Sequence, residues 1–136
     1  MMASKGTTKT LFWLVVANVA ATILHYVDNM MLFAHYPEPT WMTPHIVDAF
    51  WFVMTPFAVV GYRLVRVGAV RWGYVALYSY SAMSLLVLGH YRYAPMKEVS
   101  FRINALILLE VVMAVCLILF VAILQFSRRW REYGHA

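Results

Sequence analysis

Charge is what this sequence has least of. Only 12% of its 136 residues are charged and only six are acidic. A soluble domain carries about 25% charged and about 45–50% apolar residues, so the shortage excludes an ordinary water-facing surface. Cysteine is nearly absent too. Cys116 stands alone, which excludes an intramolecular disulfide and any CxxC metal or redox pair. It reads as a small packing residue. No HExxH spacing occurs either.

What fills the space is apolar content, at 63% of the chain. It is gathered into four long runs, covering 11–33, 44–65, 72–91 and 101–126, with short polar connectors between them. Each run has roughly the 20 residues that a helix needs to cross a hydrocarbon core about 30 Å thick. The expected fold is therefore all-α: one domain over residues 1–136, a four-helix transmembrane bundle. Thr43 is placed to N-cap the second run, with Pro44 at its first helical position, and Pro56 lies inside it. A cleavable leader is the rival reading of the first run, because Lys5 and Lys9 precede it and "ANVA" imitates a cleavage site. The apolar character continues well past Ala20, which favours a span.

The net charge of +5 invites a nucleic-acid partner, but the basic residues flank the apolar runs. Anchoring to anionic headgroups accounts for them, and no nucleic acid is expected. Lys5, Lys9, Arg63, Arg66, Arg71, Arg128, Arg129 and Arg131 fall on one side of the spans, against Arg92, Lys97 and Arg102 on the other. The excess of positive charge predicts an integral membrane protein with both termini in the cytoplasm. Tyr36, Trp41 and Tyr93 would then form an aromatic belt at the outer interface.

The few ionisable residues are not scattered. "HYVD" (His25 to Asp28) lies near the outer end of the first span, and "HIVD" (His45 to Asp48) near the outer start of the second. His90 ends the third span, and Glu110 lies about ten residues, or roughly 15 Å, into the fourth. Asn18, His25 and Asn29 share one helical face, with Asp28 beside them. Asp48, Thr55 and Tyr62 recur every seven residues in the second span. An unpaired acid facing lipid costs about 2.5–3.5 kcal/mol, so these faces should turn inward and form a polar site in the outer half. Glu110 finds no partner one turn away on its own helix, so a partner must come from another span. The structural alternative is that each His–Asp pair only bridges helices. His45 would then be an interfacial residue, His35 a solvated loop residue and His135 a terminal one.

Three chemistries suit such a site. The leading one is a pocket for a hydrophobic small molecule (a lipid, sterol-like molecule or amine), with no cofactor. Asp28, Asp48 and Glu110 would be its acids, and Asn18, His25, Asn29, Trp51, Tyr62 and His90 its lining. A carboxyl in an apolar pocket acts as a general acid because its protonated form is favoured. The second is a metal ion or haem held by His25, His45 and His90, which are the right ligand types without a diagnostic spacing. The third is a proton relay through Asp28, Asp48 and Glu110 for coupled transport. A homo-oligomer, or a structural place in a larger membrane complex, is a further alternative.

The stretch "TPFAVVGYRLVRVGAVRW", with a proline inside the second span followed by Tyr, Gly and Trp, resembles the EXPERA membrane domain of emopamil-binding protein and the sigma-2 receptor. The resemblance implies four or five spans and a pocket between helices for a sterol or hydrophobic amine. Asp28 and Asp48 would stand for its two acids. The chain departs from that pattern in being shorter, in lacking a fourth-span proline, and in the setting of the second acid.

Overall fold

In a computed structural model, which describes residues 5–133, the chain is all-helical. Four long helices run in order: α1 (Lys5–Met31), α2 (Pro44–Arg66), α3 (Val70–Leu85) and α4 (Phe101–Tyr133). Three short 3₁₀ segments, Phe33–His35, Leu86–Arg92 and Met96–Glu98, occupy the connections. Helix α1 packs on α2 and α4, and α3 on the same two, so the four form a closed ring of neighbours. The α1–α2 and α3–α4 connections gather at one end, here called the distal end, opposite the start of α1 and the end of α4.

Three helices are long and apolar enough to cross a membrane: Gly6–Met31, Pro44–Arg66 and Phe101–Ser127. Large apolar side chains cover their outer faces, among them Trp13, Phe52, Val53, Leu119 and Ile123. Such a surface is consistent with a bundle set in hydrocarbon. The third run differs from the expectation of one α-helix over 72–91. Helix α3 stops at Leu85 and its chain continues as 3₁₀ through Arg92. Sixteen α-helical residues span only about 24 Å, and seven 3₁₀ residues add about 14 Å because the rise per residue is larger. Gly89, a weak helix former with open space around it, sits in the rewound stretch.

Local chemistry explains the helix ends. Pro44 opens α2, and the Thr43 hydroxyl accepts the Ile46 N–H at 3.4 Å. Between α2 and α3 the chain turns through Gly68 at φ 90°, a conformation that side chains resist. Beyond that turn the two helices touch backbone to backbone. A Cβ on Gly73 would lie 2.8 Å from the Val65 nitrogen and 2.9 Å from the Gly61 oxygen. The proximal core is apolar, built from Leu11, Val15, Leu77, Tyr80, Leu117 and Val121. A smaller distal core joins Tyr36, Val87, Ile103 and Ile107. Most of the buried polar side chains lie between these two clusters or beside the distal one.

Candidate functional site: a distal cavity with two histidine–carboxylate pairs

Helical register decides which polar groups meet. His25 projects from α1, and its Nδ1 lies 2.6 Å from Oε2 of Glu110 on α4. Both side chains are nine-tenths buried. The partner of Glu110 is thus a histidine from another helix. A hydrogen bond this close gives each of two buried ionisable groups a polar partner, which limits the cost of burying them. With Nδ1 turned to the carboxylate, Nε2 of His25 is buried with no hydrogen-bond partner among the described residues.

A second pair lies beside the first. His90, on the 3₁₀ extension of α3, places Nδ1 3.5 Å from Oε1 of Glu38 and 3.3 Å from the Pro37 carbonyl oxygen. Glu38 also accepts from the Asn29 amide at 2.9 Å. The rings of His25, His90 and Tyr36 form a triangle with centroids 5.4 to 5.6 Å apart. The Tyr36 hydroxyl donates to Asp28 Oδ2 at 2.8 Å. Burial, reinforced by that carboxylate, holds the Tyr36 phenol well above its usual range, so it remains a donor.

The two histidine–carboxylate pairs border a cavity of about 410 Å³, which has the size of a small-molecule site. His25, Asn29, Glu38, His90 and Glu110 supply its polar wall. Its apolar walls include Trp41, Ile46, Phe50, Trp51, Met54 and Met83. Tyr26 stacks on Trp51 at 5.0 Å, fixing the indole on the α2 side.

Of the residues that the sequence nominated, His25, Asn29, Trp51, His90 and Glu110 come together here. Others fall elsewhere. Asp28 is bound by Tyr36 and by Arg102 and opens on a different groove, between α1 and α4. Asp48 accepts from the Tyr26 hydroxyl and does not line the cavity. Asn18 is fully buried outside the cavity, and neither of its amide atoms has a partner among the described residues. Tyr62 is one turn from the proximal end of α2, against Phe12 and beneath Arg66. His45 is exposed at the start of α2, so it is not brought to His25 and His90. Among the described residues no group of three or more His, Cys, Asp or Glu is arranged to hold a metal ion. His35 is exposed, and His135 lies outside the described residues.

Sequence reasoning missed Tyr26, Tyr36, Glu38 and Arg102 as members of these networks. Tyr36, expected in an interfacial belt, is only 5% exposed, whereas Trp41 and Tyr93 are exposed. The available signal was "YPEP", where two prolines stiffen the loop around Glu38 and fix its approach to the bundle. No family model, no curated protein and no solved structure matches the chain.

Proposed function

We propose that this chain is a four-span integral membrane protein with cytoplasmic termini whose distal cavity binds a hydrophobic small molecule. The observation that supports it is one cavity with large apolar walls and a single polar side holding two histidine–carboxylate pairs. Apolar walls desolvate a lipid-like body, while a few fixed polar groups orient its head. The acids that serve the ligand are then Glu110 and Glu38. Asp28 and Asp48 are occupied by Arg102 and the two tyrosines.

The His25–Glu110 pair also has the parts for proton exchange. A carboxylate orients the imidazole, and its second ring nitrogen has no partner among the described residues. A proton-transfer reaction on the bound molecule, such as an isomerisation, is the enzymatic form of the proposal. The EXPERA-like stretch of the second span agrees with a sterol-like or amine ligand. Photolabelling tests it. A sterol-like or alkylamine diazirine should label Phe50, Met54 or Met83 saturably, and excess unlabelled ligand should protect them. Labelling confined to lipid-facing residues such as Phe52 and Leu119 would refute the cavity as the binding site.

A further inference from the structure

The cavity leaves the second groove unexplained. It lies on the outside of the bundle, between the distal ends of α1 and α4. Its apolar floor comes from Leu24, Val27, Met31, Phe101, Ala105 and Leu106. Several of these are strongly exposed, Met31 at 74% and Phe101 at 89%. Among the described residues, Asp28 and Arg102 supply its charges. The carboxylate of Asp28 is almost fully buried, whereas the Arg102 side chain remains 64% exposed while bonded to it. The groove therefore presents a cation outward and hides its anion.

We infer that this groove is a binding site for an anionic phospholipid, with one acyl chain along α1 and α4 and the phosphate on Arg102. Length agrees. From Ile23 to Met31 the groove runs about 12 Å along the helix axis, close to the roughly 15 Å depth of one leaflet's hydrocarbon. Position agrees as well: Arg102 is the second residue of α4, which on the proposed topology stands at the edge of the hydrocarbon beside the headgroup layer. The guanidinium fork binds phosphate oxygens bidentately. Exposed floor residues on a membrane-facing surface need an acyl chain and not water. A lipid phosphate competes with Asp28 for Arg102, and Asp28 holds Tyr36, whose ring packs on His25 and His90. The groove is thereby linked to the cavity wall by contiguous contacts.

Native mass spectrometry of the full chain with added dioleoyl phosphatidylglycerol, dioleoyl phosphatidylcholine or dioleoylglycerol tests the site. One phosphatidylglycerol should be retained, with dioleoylglycerol held about fivefold less, the contribution of one cation near an anionic headgroup. Arg102→Gln should erase that difference. Because that change also strands Asp28 and could unfold the chain, Asp28→Asn is the sharper variant. It frees Arg102 for phosphate and should raise phosphatidylglycerol retention, whereas loss of a merely structural ion pair would lower it or leave it unchanged. Equal retention of all three lipids, a fall in Asp28→Asn, or a dimer that buries Phe101 and excludes lipid would each overturn the site.

Discussion

At the residue scale the chain's economy of charge becomes legible. Among the described residues the buried acids are committed to partners, Glu110 to His25 and Asp28 to Arg102 and Tyr36, and the partly buried Glu38 holds Asn29 beside His90. Deleting one member of a buried pair strands the other, which costs about 3–5 kcal/mol, whereas replacing both by apolar groups is often close to neutral. Glu110→Leu should therefore lower the midpoint of thermal unfolding in detergent far more than the double variant His25→Leu/Glu110→Leu. If the two melted alike, the pair would not be a coupled unit. Tyr36 gives a pH-dependent test. Its folded pKa is raised above the unfolded value of 10.0, so its contribution is complete below pH 10 and is lost as pH rises further. In melts at increasing pH, the stability gap between the wild type and Tyr36→Phe should narrow above pH 10. A gap constant with pH would remove the phenol from the account.

At the element scale, close approach of α2 and α3 lets the α2 wall and the 3₁₀ segment that carries His90 border one cavity. Gly73 allows that approach. A methyl at this position meets backbone atoms of Val65 and Gly61, which cannot rotate away. Gly73→Ala should destabilise the bundle by about 1–3 kcal/mol through overpacking, while Gly89→Ala, with nothing within 4 Å, should be nearly neutral. Thermal melts of the two variants decide this. The helices themselves were readable from the sequence, because four apolar runs of spanning length admit few other folds. The inward polar face of α1 was readable from the spacing of His25 and Asn29. Partner choice was not. Asp28 and His25 are neighbours on one helix and both pair with α4, yet Asp28 meets Arg102 and opens on the outer groove while His25 meets Glu110 at the cavity wall. Only the relative rotation and height of α1 and α4 determine that, and neither is encoded in local spacing. The 3₁₀ rewinding after Leu85 was hidden for a similar reason, since "LVLGHYR" carries apolar content without a clear period.

At the scale of the whole molecule, the account requires the distal end to face away from the cytoplasm. Single cysteines introduced at Thr40 or Glu98 in a Cys116→Ser background should react with a membrane-impermeant maleimide on intact cells. One introduced at Gly68 should react only after permeabilisation. The reverse pattern would invert the topology and place the cavity on the cytoplasmic side. The central claim is that the cavity binds a hydrophobic molecule at its histidine–carboxylate wall. Trp41 and Trp51, two of the chain's five tryptophans, line that cavity, so their share of the fluorescence responds to its occupant. The decisive measurement is a fluorescence titration of the purified protein with a sterol-like amine, comparing the wild type with Glu110→Gln. The account predicts a saturable change in the wild type and binding weakened at least about tenfold in the variant, the equivalent of about 1.4 kcal/mol. A linear, non-saturating response, or saturable binding equally tight in both proteins, would contradict it.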